Sequence, residues 1–541
     1  MTETEDRTSL HDLAVIVAPE RDNVAVAKQL ISSGTILVWE EKDLEITIRA
    51  DVPTGHRFAI RSVLEGEWVR QYGQPFARSK GLKPGDRVDD TTVESDILEV
   101  GPSELTLRTP TIPDWEGPQP SLEGFHRADG NVGIRNWVLV VPVSMCAAHE
   151  ASQIALRAEM QGPYSRETYP NVDGVVALPH DGGCGCPYPR AEETVPGAFV
   201  ATLRILGQHI RHPNVGAALM IELGCEKTSL AAFDSYSGKQ PLSEFFGKPV
   251  HRLSIQACGG TQATIEKGLA LIPELLEAAN ATTRQPAPAS ALALGLECGG
   301  SDAFSGLTAN PALGHASDLL VSAGGRSVIA EVPEFFGAAH LFAERAVDRE
   351  TARAIYTLID EFKDYAGRSG HTLLENPSPG NKAGGLLNIA IKSLGAMAKS
   401  GTAPVQGALP YGGWVWSQEH SEEPRPPGVY LLNTPGYDQL SVPGLVGAGC
   451  QVVCFTTGRG TGIGNAIAPV IKISTNSALY QRMTGDIDVN AGRILDNERT
   501  LPALGRDIFD EIMAVASGKR TRAEINGHRE FALWNVEGLW L

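Results

Sequence analysis

The sequence predicts an α/β protein: a small N-terminal β-rich module followed by a large α/β core of two βα-containing subdomains. Three observations carry this. Roughly the first hundred residues hold short β-type runs between Gly, Pro and Asp turns. Beyond a Pro-rich connector, apolar strand-like runs alternate with helical ones, the pattern of βα units and a largely parallel sheet. A chain of 541 residues also exceeds what one core holds, so two or three domains are expected.

Residues 1–108 form the predicted β-rich domain, with strands over Leu13 to Val17, Thr35 to Val38, Leu44 to Ile48, Phe58 to Ile60 and Trp68 to Tyr72. His56 sits there in a Pro/Gly turn just before a strand, placed either for proton transfer or simply on the surface. Pro110, Pro113, Pro118 and Pro120 mark residues 109–121 as a linker. In the first core subdomain, 122–285, strands over Trp137 to Val143, Val175 to Leu178 and Ala217 to Ile221 alternate with helices over Ala148 to Met160 and Ala191 to Gly207. A second connector, Ala281 to Ser290, leads into the subdomain 286–541. Its predicted strands are Ala291 to Leu296, Val429 to Leu432 and Val452 to Phe455, and its helices Ala309 to Ala323, Ala338 to Phe362 in pieces, and Ile389 to Lys399.

The formal charge of −18 repels nucleic acid and anionic membrane surfaces, so the expected partner is a small polar molecule. The polar, acidic stretch from Met1 to Asp22 has no signal-peptide character, and no apolar run reaches membrane-spanning length. A cytoplasmic protein is expected, without nucleic-acid or membrane partners. Its eight cysteines are then thiols or metal ligands rather than disulfides.

Strand-like runs repeatedly end in cysteine among glycine or carboxylate neighbours: before Cys184, before Cys225, before Cys298 and, more weakly, from Val446 to Cys450. Ligands of open α/β sheets bind at the carboxyl ends of strands, so these thiols are candidates to converge on a metal. Coordination by thiolates drawn from Cys184, Cys225 and Cys298 would leave an iron position open for substrate. Buried structural cysteine is the bland alternative for all of these thiols.

Glu297-Cys298-Gly299-Gly300-Ser301-Asp302 combines paired glycines with a thiol, a hydroxyl and two carboxylates. Glu297 and Asp302 are candidate acid/base groups and Ser301 a substrate contact; the alternative is a strand-to-helix turn capped by Ser301 or Asp302. Thr457-Gly458-Arg459-Gly460-Thr461-Gly462 follows a strand but fails the dinucleotide spacing G-x-G-x-x-G. Its amides, Thr457 and Arg459 suit a carboxylate instead. Asn376 to Gly385 offers Lys382 on a ligand-facing loop or a plain linker. Glu331 and Glu334 supply two carboxylates near a strand end, usable for proton abstraction or metal binding, with a solvated turn as the default reading.

Together these segments resemble the altronate/galactarate dehydratase family, sugar-acid hydro-lyases that also include sulfolactate sulfo-lyase. The resemblance spans nearly the whole chain. It rests on Pro53 to Ala59 and Gln71-Tyr72-Gly73 in a module that looks like a SAF domain, and on Arg127-Ala128-Asp129-Gly130 with Gly133-Ile134-Arg135-Asn136. It rests further on Gly224-Cys225-Glu226, Glu297 to Asp302, Lys392-Ser393-Leu394-Gly395 and Phe455 to Thr461. It implies loss of water from a hydroxylated carboxylate to give a 2-keto-3-deoxy acid, with a divalent metal required, iron as Fe2+ or in an iron-sulfur cluster first. The resemblance makes Cys184, Cys225 and Cys298 the preferred metal ligands and leaves Cys146, Cys186 and Cys450 as neighbours or core packing. Arg135 and Asn136 enter the candidate substrate contacts with it, and a homo-oligomer is expected. The chain departs from the family where members carry a His-x-His-Asn type segment: it reads Arg87-Val88-Asp89-Asp90. Gln71 replaces the usual lysine before Tyr-Gly, and Ile391 the glutamate before Lys392. Asp89 and Asp90 as hard oxygen ligands would shift preference toward Mg2+, Mn2+ or Ca2+. Expulsion of sulfite from a sulfolactate-like acid, and a non-catalytic sugar-acid-binding homologue, are the competing readings.

Overall fold

The structure, a computed structural model, describes residues 7–188, 197–417 and 423–535. The N-terminal module is made of small sheets. Ala14–Val15, Val24–Ala27, Arg57–Ala59 and Arg87–Val88 form an antiparallel one, and two three-stranded sheets complete it. Burial alternates along Ile36–Trp39, as one face of a half-buried strand requires, and Leu37, Trp39, Ile46 and Phe58 close its core.

After the linker, Ser121–His126 pairs antiparallel with Arg284–Pro288. The second Pro-rich connector is therefore partly a strand. Its prolines are tolerated because it lies at the edge of its three-stranded sheet.

Two parallel sheets form the core. In the first, Gly174–Ala177, Trp137–Pro142, Val215–Glu222 and Val250–Ser254 lie side by side in that order. In the second, seven strands run Val405–Leu409, Gly428–Leu432, Arg326–Ile329, Ala293–Cys298, Val452–Thr457, Val470–Ser474 and Val489–Asn490. Trp137–Pro142, Ala293–Cys298 and Val452–Thr457 are buried at every position, the continuous apolar pattern of strands covered on both faces. Helices over Ala148–Met160, Ala309–Ser322 and Ile389–Met397 fall where the periodicity places them. The expected Ala191 to Gly207 helix is observed as Ala198–Arg211; residues 189–196 lie outside the described residues. The run from Val446 to Cys450 is not a strand. It is the end of the helix Asp438–Gly447 and the turn after it, where Cys450 is buried. No helix among the described residues is long and apolar enough to cross a membrane.

The N-terminal module docks on the carboxyl edge of the seven-stranded sheet. Gly55 lies so close to Gly384 that a Cβ there would sit 2.9 Å from the Gly384 carbonyl oxygen. The buried Arg57 guanidinium donates to the Gly385 carbonyl, and Asn388 Nδ2 donates to the Phe76 carbonyl at 2.8 Å. This seam brings the turn of His56 against the loop of Lys382.

Candidate active site

Central strands of the seven-stranded sheet end in chemistry. Ala293–Cys298 leads into Ser301 and Asp302, Arg326–Ile329 into Glu331 and Glu334, Val452–Thr457 into Arg459, and Val470–Ser474 into Thr475 and Asn476. Adjacent parallel strands deliver these loops side by side, as the switch-point rule for open α/β sheets requires.

A cavity of about 540 Å³ opens at this edge, lined by Asp302, Gly384, Gly458, Arg459 and Asn476 from the core and by Lys28 and Thr54 from the N-terminal module. Asp302 is buried. Its Oδ1 accepts from the Phe304 and Ser305 amides at 3.1 and 3.0 Å, and its Oδ2 from the Thr475 hydroxyl at 3.0 Å and Asn476 Nδ2 at 3.2 Å. Desolvation outweighs these donors and raises its carboxyl to about 6. Arg459 is exposed at the same cavity. Thr457 Oγ1 accepts from the Gly460 amide at 2.9 Å, so Thr457, itself buried, shapes the loop that presents Arg459. Ser301 is also buried, and its carbonyl accepts from Asn381 Nδ2 at 2.8 Å.

Across the Gly55–Gly384 contact a smaller cavity of about 130 Å³ holds His56, Arg87, Asp89, Asp90 and Lys382. His56 and Lys382, from separate loops, thus meet, and they meet the Arg87-Val88-Asp89-Asp90 stretch. Burial lowers the His56 imidazole, with the Thr54 carbonyl opposing, so the ring is predominantly neutral at pH 7.

Beneath the glycines of the Cys298 loop lies a buried ionic cluster. Lys399 Nζ is 2.6 Å from Glu331 Oε2 and 2.9 Å from Cys298 Sγ. Glu334 accepts from Cys298 Sγ at 3.1 Å and pairs with Lys392 at 2.8 Å. Glu297 takes the Ser441 hydroxyl on Oε1, while its Oε2 has no hydrogen-bond partner. Burial drives Glu297 well above the carboxylate range, reinforced by Glu331 and Asp438. Burial, with Glu334 adding to it, raises Glu331 to about 7 against the pull of Lys399. Burial also pushes the Cys298 thiol well up, reinforced by Glu331 and Glu334. Glu334 stays low because Lys392 and Lys399 outweigh its burial. Oxygens of Glu297, Glu331 and Asp438 lie within 4.8 Å of one another, a hard donor set.

Three sequence expectations need correction. Cys298 does not join Cys184 and Cys225. It lies in the ionic cluster of the seven-stranded sheet, whereas Cys184 and Cys225 are exposed at the end of the four-stranded sheet beside Cys146. Arg135 is not free for substrate. It is 1 % exposed and gives Nε and Nη2 to Glu524 at 2.6 and 2.8 Å, and its remaining donors to the Ile134, Val515 and Lys519 carbonyls. Asn136 is likewise spent on the Asn171 and Ala279 carbonyls and on Arg127. Glu331 and Glu334 do not form a solvated turn; they are buried acids of the cluster. Lys399, Asp438 and Ser441 carried no sequence signal. Each is a single residue on or beside a helix, and only the fold sets it against Glu297 and Glu331.

Comparison with known proteins agrees with this arrangement. Residues 13–96 match the "Altronate/galactarate dehydratase SAF domain". Residues 124–280 match "D-galactarate dehydratase/Altronate hydrolase, second domain", and residues 289–538 match "D-galactarate/Altronate dehydratase, C-terminal". The chain is 35% identical to altronate dehydratase of Bacillus subtilis, over 95% of this chain and 97% of that one. It is 32% identical to galactarate dehydratase (L-threo-forming) of Escherichia coli, over 95% of each. It is 31% identical to the (2R)-sulfolactate sulfo-lyase subunit beta of Chromohalobacter salexigens, over 76% of this chain and 96% of that subunit. With a SAF domain docked on a parallel α/β core and matches in order along its length, the chain belongs to the altronate/galactarate dehydratase family and is an enzyme of the hydro-lyase class.

Proposed function

We propose that this enzyme removes water from a sugar acid of the aldonate or aldarate type, such as altronate or galactarate, to give a 2-keto-3-deoxy acid with the help of a divalent metal ion, iron first. The observation that carries the reading is the 540 Å³ cavity in which the buried carboxyl of Asp302 shares the walls with Arg459. Its volume suits a six-carbon acid.

Arg459 grips the substrate carboxylate, and Lys28 and Arg482 add positive charge to the same cavity. Asp302, raised to about 6, is largely ionised at neutral pH yet more basic than a surface aspartate. It takes the proton from the carbon α to the carboxylate. The electrons of that C–H bond form the enediolate, the C–O bond at the β-carbon breaks, and the departing hydroxyl takes a proton to leave as water. Protonated Asp302 supplies that proton and returns to its starting state. The enol then converts to the 2-keto acid. Glu297, Glu331 and Asp438 are the residues that would hold a divalent ion, because Glu297 Oε2 is buried without a hydrogen-bond partner beside two further carboxylates. A bound cation supplies positive charge that stabilises a developing enediolate.

The test is incubation of anaerobically metal-loaded protein with a panel of aldonates, aldarates and sulfolactate, following 2-keto acid and sulfite. Formation of 2-keto acid from a sugar acid is expected. Release of sulfite from sulfolactate alone, or no product from any member, overturns the reading.

A further inference from the structure

Every strand of the four-stranded sheet is followed by a cysteine. Trp137–Pro142 leads to Cys146, Gly174–Ala177 to Cys184, Val215–Glu222 to Cys225 and Val250–Ser254 to Cys258. The strands are all parallel, so their carboxyl ends share one edge, and Trp137–Pro142 lies between the strands of Cys184 and Cys225. The thiols of Cys146, Cys184 and Cys225 are all exposed there, whereas Cys450 and Cys454 are buried as core cysteines usually are.

The three loops are tied to one another by their own hydrogen bonds. The Met145 amide donates to the Gly182 carbonyl at 2.9 Å. The Thr228 hydroxyl lies 2.6 Å from the Val143 carbonyl and 2.9 Å from that of Gly183. The Glu226 carboxylate accepts from the Leu223, Gly224 and Cys225 amides at 2.7–2.9 Å and from the Ser144 hydroxyl at 3.0 Å. Gly183 has φ +94°, and a Cβ on it would sit 2.6 Å from Thr228 Oγ1 and 2.8 Å from Ser144 Cα. The loops are held in position with all three cysteines exposed and the Cys146 and Cys184 side chains hydrogen-bonded to each other, the arrangement of a preformed ligand set rather than of packing.

We propose that Cys146, Cys184 and Cys225 hold an iron-sulfur cluster through three thiolates. A mononuclear site would bring all three sulfurs within about 4 Å of one another around a single tetrahedral ion. These three do not all fall within 4.8 Å. In a cluster each thiolate binds a different iron, so the three sulfurs need not close on one point. The Cys184 side chain has those of Cys146 and Cys225 and the Glu226 carboxylate as its neighbours. Cys258 follows the outer strand, on the far side of Cys225 from Cys184, and is not part of the set. Three thiolates would leave a four-iron cluster one iron without a protein ligand. This site is separate from the carboxylates of the seven-stranded sheet, and the inference stands apart from the dehydration reading.

The test is anaerobic reconstitution of the full chain with ferrous iron and sulfide. Equal amounts of iron and acid-labile sulfide are expected, with a broad visible absorption. C146S, C184S and C225S should each lose most of that absorption, while C298S keeps it and circular dichroism shows all four folded. Retention of the chromophore by the C146S/C184S/C225S triple variant overturns the proposal, as does stoichiometric metal without sulfide or failure of the wild-type chain to keep iron and sulfide. A cluster with no turnover of any acid refutes the proposed reaction and leaves the cluster standing. Full turnover by a cluster-free triple variant keeps the reaction and denies the cluster any part in it.

Discussion

Lys399 and Glu331 form a completely buried ion pair, Nζ to Oε2 2.6 Å, with Cys298 Sγ 2.9 Å from the same ammonium. Removing one member of such a pair leaves an uncompensated charge in a medium that solvates it poorly. Lys399→Met is expected to cost about 3–5 kcal/mol of stability, and Lys399→Met with Glu331→Gln less than the sum of the single changes. Denaturant unfolding of the two singles and the double checks both statements.

Asp302 sets the acid limb of the reaction. Burial lifts its carboxyl from 3.8 to about 6, and the base form is the ionised one. The expected kcat/KM therefore falls as pH drops through about 6, and Asp302→Asn lowers kcat by at least about a hundredfold. Linkage has the opposite sign for stability. A raised folded-state value means the protonated form is favoured, so this group's contribution is full below the unfolded value of 3.8 and is lost as pH rises through 6. A pH-rate profile alongside thermal unfolding at matched pH separates the two effects.

Gly458 guards the geometry of that base. A methyl group there would overlap the Asp302 carboxylate. Gly458→Ala is expected to reduce kcat about a hundredfold, because a displacement of roughly an ångström at the reacting groups costs that much. Steady-state kinetics at saturating substrate read it directly.

Arg459 is exposed at the cavity and is presented by the Thr457 loop. Loss of a charged hydrogen bond to substrate is worth about 1.5–3 kcal/mol. Arg459→Gln is thus expected to raise KM about ten- to a hundredfold. Arg459→Lys should recover only part of this, since a lysine lacks the planar fork. Comparing KM with kcat in both variants is the measurement.

Arg135 gives the contrasting case. All its donors serve Glu524 and three backbone carbonyls. Arg135→Met is expected to lower stability by about 3–5 kcal/mol while the surviving folded enzyme keeps its KM. Unfolding curves and kinetics on the same preparation distinguish this from a substrate contact.

What the sequence determined by itself was local. Period-2 and period-3.6 patterns, turn residues and the Pro-rich linker report neighbours within one element, so the β-rich module, the βα alternation and helices such as Ala148–Met160 were legible. The loops carrying Asp302 and Arg459 were legible too, because glycines beside functional groups at strand ends mark them. Which loops meet was not. Cys184 and Cys298 carry the same strand-then-glycine signature, yet strand order sends them to different sheets, and Cys146, with no such signature, stands beside Cys184. Arg135 looked like a ligand hook until Glu524, far along the chain, occupied it. Lys399 became chemistry only by burial against Glu331. Partner identity and burial are properties of long-range packing, and they decide whether a charged side chain is a scaffold or a reagent.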